Sequence, residues 1–147
     1  MLIIIYSETN QSNILENLGK PEYSYYFVLK EFRPVLERLG RVVEVTRPDE
    51  EVDQLYADCL GRGEDCVFLS FSPPHRTAGH YTCPTIPVFA WEFSTIPTES
   101  WQGETRHDQE VVLGATGMAI THSSFTVKSV REVMGAEFPG TAIAGPV

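Results

Sequence analysis

The chain has 147 residues, 42% of them apolar and 21% charged, with a formal net charge of −9 at pH 7. That size and balance predict one ordinary globular domain with a real core, not a disordered segment. The acidity argues against a general nucleic-acid binder and against an anionic membrane surface, both of which require a basic face, and leaves neutral small ligands open.

The opening Met1-Leu-Ile-Ile-Ile-Tyr6 has no basic n-region and its apolar run stops at Ser7, so it does not read as a leader. No stretch reaches the roughly 18 apolar residues of a membrane span. Cys59, Cys66 and Cys83 are odd in number and show no CxxC spacing. A disulfide framework or a structural zinc site is therefore not expected, and a reducing cytoplasm is.

Leu2–Tyr6 is a continuous, β-branched apolar run, the pattern of a strand buried on both faces. After the polar SETNQSN loop, YSYYFVLKEFRPVLERLG carries Tyr25, Val28, Leu29, Phe32, Val35, Leu36 and Leu39 at helical spacing. Gly40 is expected to cap that helix, and Pro34 to kink or split it. A second strand is predicted over Arg41–Thr46. A helix from about Pro48 follows, with Val52, Leu55, Tyr56, Cys59 and Leu60 on one face and acids in its first turn. Strands are further predicted over Asp65–Ser70, Ile86–Trp91, Gly117–Thr121 and Thr141–Ala144. Helices are expected over His107–Gly114 and from a Ser123 or Ser124 cap to Gly135. Alternating helices and uniformly apolar strands predict an α/β, Rossmann-like, doubly wound and mainly parallel sheet of about six strands, with helices on both faces.

In such a sheet, ligands gather outside the carboxyl ends of the strands. Four segments therefore become the candidate site: Tyr6-Ser7-Glu8-Thr9-Asn10, Ser70 to His75-Arg76, Trp91-Glu92-Phe93-Ser94-Thr95, and Thr121-His122-Ser123-Ser124. An aromatic face beside carboxylates and hydroxyls suits a sugar, whose C–H face stacks while its hydroxyls donate. Each residue also has a plain structural reading. Trp91 can plug the core, Glu92 can cap a helix or pair with Arg106, and His75 and His80 can be solvated loop residues. His122 and its neighbours can simply start a helix, and Pro73-Pro74 can be a rigid turn. The first loop has neither GxGxxG nor GxxxxGK[ST], the third strand ends in Ser-Phe-Ser rather than an aspartate, and no GxSxG elbow occurs.

The runs SYYFVLKEFRPVLERLG, PVFAWEFSTIPTESW, RHDQEVVLGATGMAITHSSFTVKSVREVMG and AIAGPV together resemble the amino-terminal half of GT-B glycosyltransferases. The resemblance is to the retaining group 1, or family 4, type, and among these to bacterial enzymes that decorate polysaccharides. It covers nearly the whole chain, and WEFSTIP, RHD and ITHSSF are its most specific parts. It implies that residues 1–147 form the acceptor-side Rossmann-like domain. A carboxyl-terminal domain that would hold the nucleotide-sugar is absent from this chain, so this half alone is expected to be inactive.

By position, Ser7 and Glu8 match the loop that approaches the transferred sugar, although the Gly-rich sequence common there is missing. Trp91, Glu92 and Ser94 match an acceptor or catalytic-centre loop, Arg106 follows on the same rim, and His122 and Ser123 border the cleft. Glu92 and His122 are expected to act as orienting or electrostatic catalytic residues; Ser7, Glu8, His75, Arg76, Trp91, Ser94, Arg106 and Ser123 are expected to bind substrate. The implied partners are a saccharide acceptor and, through the second domain, a nucleotide-sugar donor. No cofactor or metal is expected on this domain. The resemblance leaves room for peripheral membrane association of the whole enzyme and for a dimer through the exposed cleft face. The residues also admit a rival, a non-catalytic α/β module that binds a ligand or protein through the same rim. A hydrolase using His75 or His122 is disfavoured, because no nucleophile accompanies either one.

Overall fold

A computed structural model describes residues 1–10, 13–16, 18, 23–90 and 109–143. The elements are β1 (Leu2–Tyr6), α1 (Tyr23–Leu36), β2 (Arg41–Glu44), α2 (Pro48–Gly61), β3 (Cys66–Phe71), a short 3-10 turn (Pro74–Arg76), β4 (Thr85–Phe89), α3 (Gln109–Thr116), β5 (Ala119–Thr121), α4 (Ser124–Met134) and β6 (Gly140–Ala142). The six strands form one sheet in the order β2-β1-β3-β4-β5-β6, and β1 with β2 and β3, and β5 with β4 and β6, pair in parallel. The expected doubly wound α/β sheet is therefore present.

By contacts the chain gathers into two compact units; among the described residues, one comprises Met1–Phe71 and Tyr81–Thr85, the other Ser72–His80 and residues 86–143. In the first, β1 lies between β2 and β3, with Leu2 opposite both Arg41 and Cys66. The chain leaves β1 toward β2 and returns from β2 across β1 to β3. With right-handed crossovers, those two opposite steps put α1 and α2 on opposite faces. The side chains agree. Leu2, Ile4, Cys66 and Phe68 pack with Val45 and with Val52 and Cys59 of α2. On the other parity, Phe71 meets Phe32 of α1 edge-on, with ring centroids 5.8 Å apart. Residues 2–5 are all buried, because both faces of β1 are covered.

Helix ends follow from capping chemistry. α2 starts with Pro48 and three acids in its first turn, and the Glu51 carboxylate reaches back to accept from Thr46 N and Arg47 N at 3.1 and 2.9 Å. α1 runs through Pro34 without splitting and ends two residues later. Pro34 has no N–H, so the bond to the Lys30 carbonyl four residues back is not made. The stripe is narrower than the sequence pattern predicts: Leu29, Phe32 and Leu36 are buried, but Val35 is 57% and Leu39 64% exposed. Gly40 has a different reason from the expected cap. A Cβ there would lie 2.4 Å from the Met1 carbonyl oxygen, which accepts Arg41 N–H at 3.0 Å. Close backbone approach, not helix termination, requires the glycine.

The second unit holds β4, β5, β6 and two helices. The crossovers β4–α3–β5 and β5–α4–β6 step in the same direction, so α3 and α4 share one face. Gly117 was expected to begin β5. Instead, at φ 74°, it stops α3, its N–H donating to Leu113 O at 2.8 Å. Ser123 caps α4, its Oγ accepting from Thr126 N at 3.2 Å, and Gly135 at φ 107° ends it. These two ends match the sequence expectation. The apolar residues of α4 at Val127 and Val130 are buried, as its stripe predicts. No described helix is long and apolar enough to cross a membrane.

Candidate functional site

The reversal of direction at β1 fixes where a ligand site belongs. In a doubly wound sheet the crevice that takes ligands lies outside the carboxyl ends of the strands where the order reverses, here β1 and β3. β1 ends at Tyr6, which pairs with Ser70 of β3, so Ser7 is the first residue beyond the paired ladder. Ser7 is only 3% exposed, and its Oγ has no hydrogen-bond partner among the described residues. A buried hydroxyl left unpaired costs about 1–3 kcal/mol, so its retention at the crevice needs a reason. Thr9 and Ser70 are buried alongside in sequence and register. Glu8, by contrast, points its chain to the exposed side of the loop.

The loop is held by its own asparagines. Asn10 N donates to Asn13 Oδ1 at 2.7 Å, Asn13 N donates back to Asn10 Oδ1 at 3.2 Å, and Asn13 Nδ2 donates to the Glu8 carbonyl at 3.1 Å. These reciprocal bonds close a compact turn and fix the direction in which the chain leaves Ser7. Asn13 was not among the sequence candidates. The asparagines three apart in a polar loop were the available signal.

In the second unit the β5–α4 turn is equally fixed. Thr121 Oγ1 donates to Ser123 O at 3.0 Å, and Thr121 O accepts Ile143 N at 2.7 Å. His122 Nδ1 lies 3.3 Å from Ile143 O. A carbonyl can only accept, so in this contact Nδ1 carries the hydrogen. Ser123 Oγ is engaged with both Thr126 N and Thr126 Oγ1, the latter at 3.0 Å. Its side chain thus does what the capping alternative describes.

Arg76 is exposed on the 3-10 turn after β3. That turn is braced by buried hydroxyls, Ser72 Oγ with Thr77 Oγ1 at 2.8 Å and Thr77 Oγ1 donating to Pro73 O at 3.1 Å. The proline pair expected as a rigid turn thus starts a 3-10 turn.

The structure therefore brings Ser7 and Glu8 together on one loop and His122 and Ser123 together on another, with Arg76 on a third. Trp91, Glu92, Ser94 and Arg106 lie outside the described residues, as does the side chain of His75. Among the described residues no group of three or more His, Cys, Asp or Glu side chains could hold a metal ion. What the described loops offer is hydrogen-bonding chemistry from hydroxyls, an imidazole and backbone carbonyls, with the charged side chains of Glu8 and Arg76 exposed on two of them, suited to orienting a polar ligand.

No family model matches the sequence, and neither the curated proteins nor the solved structures contain a match to it.

Proposed function

We propose that this chain is the acceptor-binding side of a GT-B glycosyltransferase of the retaining group 1 type. The whole enzyme would move a hexose from a nucleotide-sugar to a saccharide or polysaccharide precursor. The observation that carries the reading is the run Ile120-Thr-His-Ser-Ser-Phe125, the one of the three most specific parts of the resemblance that falls within the described residues. It lies across the carboxyl end of β5 and the start of α4, at the edge where doubly wound sheets take ligands. The buried Ser7 hydroxyl, without a hydrogen-bond partner among the described residues, supports a polar ligand at the carboxyl end of β1. In this reading Glu92 and His122 orient the reacting groups, and binding comes from the hydroxyl-rich loops and the tryptophan-bearing segment after β4. The reading implies a cytoplasmic setting, where three unpaired thiols are at home.

The test is an amide-detected NMR titration of the labelled chain with a panel of neutral and acidic oligosaccharides, and separately with nucleotide-sugars. Saccharides are expected to shift the amides of residues 7–10 and 121–124 in the millimolar range, with Ser7→Ala weakening the response. Amides that stay unmoved across the saccharide panel would overturn the acceptor reading. A response confined to nucleotide-sugars would reassign the domain to the donor side.

A further inference from the structure

Three thiols meet in the core of the first unit, at the edge of the sheet opposite the candidate site. Cys59 lies on α2, Cys66 opens β3, and Cys83 sits just before β4; all are buried and reduced. Cys66 Sγ and Cys83 Sγ are 3.9 Å apart. The backbone imposes this approach. Phe68 N donates to Pro84 O at 2.8 Å, which runs the two segments side by side. The Asp53 carboxylate of α2 then accepts from Thr82 N and Cys83 N at 3.2 and 3.0 Å. The Cys59 sulfur is also close enough to Cys66 to raise that thiol, and it accepts a long contact from Arg62 Nη2 at 3.6 Å.

We propose that Cys66 and Cys83 are a modification site, a reversible disulfide formed by exchange with a low-molecular-weight disulfide such as oxidised glutathione. One thiolate attacks a glutathione sulfur and releases one glutathione thiolate. The second then attacks the mixed disulfide and releases the other, so two thiols are oxidised while one glutathione disulfide is reduced to two thiols. A disulfide requires sulfurs about 2.05 Å apart, a closure of roughly 2 Å from the present 3.9 Å. The bond would tie the start of β3 to the entry of β4 and enclose the chain between them.

Burial sets the kinetics. Desolvation pushes the Cys83 thiol up to about 11 and raises Cys66 further, with the neighbouring thiol adding to the effect. The reactive thiolates are therefore scarce while the core is closed, and exchange waits on local opening.

The experiment lets folding choose the pair. The full chain is unfolded in urea with a reduced and oxidised glutathione mixture, and a second sample is diluted from urea into the same mixture without denaturant. Both are acid-quenched for intact mass and non-reducing peptide mapping. In urea, the shorter Cys59–Cys66 loop should lead, because closing it costs least entropy. On folding, Cys66–Cys83 should gain over Cys59–Cys66 by on the order of tenfold or more. The product should be a folded monomer 2 Da lighter by the loss of two hydrogens, with Cys59 still free to alkylate. Cys59→Ser should keep the bond at the same glutathione ratio. Three results would overturn the proposal: Cys59 in the dominant pair after folding, glutathione adducts without an internal bond, or an oxidised chain that fails to regain its reduced circular-dichroism spectrum.

Discussion

The two compact units solve the same problem with different means. In the first, the central strand β1 is enclosed by α1 on one face and α2 on the other, and its residues from Leu2 to Ile5 disappear from solvent. In the second, α3 and α4 lie on one side of β4–β5–β6, Thr141 and Ala142 of the last strand β6 are exposed, and Phe125 at the start of α4 is half-exposed. Aliphatic burial of about 1.5–3 kcal/mol per side chain is thus concentrated around β1 and β3. The lesson is that one sheet order can hold a strand covered on both faces and, further along, strands whose described helices share one face.

Substitutions can break that contrast. Phe68→Ala should have the largest effect, about 3–5 kcal/mol, because Phe68 fills the core between β1, β3 and α2 and meets Tyr81 at 5.6 Å. Urea denaturation should show the midpoint collapse. Val130→Ala on α4 should cost about 2 kcal/mol. Native-state hydrogen exchange on both variants is the sharper reading. If Val130→Ala lowers protection only over β5, α4 and β6, the units open separately; equal loss along β1 would make them one cooperative block.

Ser123→Ala removes the α4 cap and should cost about 1 kcal/mol, with Ser123→Asp restoring most of it in thermal melts. Ser7→Ala should run the other way. Deleting an unpartnered buried hydroxyl should leave stability unchanged or raise it by up to about 1 kcal/mol, while weakening saccharide binding if the proposed function holds. A loss of stability in urea would mean that Ser7 serves the fold.

The smallest effect concerns the rim of the first unit. Arg41 donates twice to Glu64, at 2.6 and 2.9 Å, and that hydrogen bond holds the Glu64 carboxyl below its ordinary value. A carboxyl whose folded pKa is depressed stabilises the protein above its unfolded value of about 4.3 and loses that contribution as pH falls through the folded one. The melting difference between the native chain and Arg41→Ala should therefore be slight at pH 7, as for exposed ion pairs in general, and should fade toward pH 3.

Much of this was legible in the residues. The continuous runs at Leu2–Ile5 and Val67–Leu69 announce strands buried on both faces, and Ser123 and Gly135 mark the ends of α4 by their chemistry. The strand order was not legible. A right-handed crossover allows the chain to step either way from β1, and only tertiary packing chooses. Glycines misled for a related reason. Gly40 looked like a cap and Gly117 like a strand start, yet the first answers a carbonyl oxygen at its Cα and the second a left-handed backbone angle. The sheet rule found the candidate loops, but the missing partner of Ser7 and the asparagine clasp behind it are facts of three dimensions.

The register of the sheet also sets a timetable. Leu2 pairs with both Arg41 and Cys66, so the first strand made is the last of its trio to be completed. At about 5–20 residues per second of synthesis, Leu2–Tyr6 waits several seconds before β3 exists. Throughout that wait, one edge of four consecutive aliphatic residues has no neighbour. In that interval the aliphatic run Leu2–Ile5 is open to association with other chains.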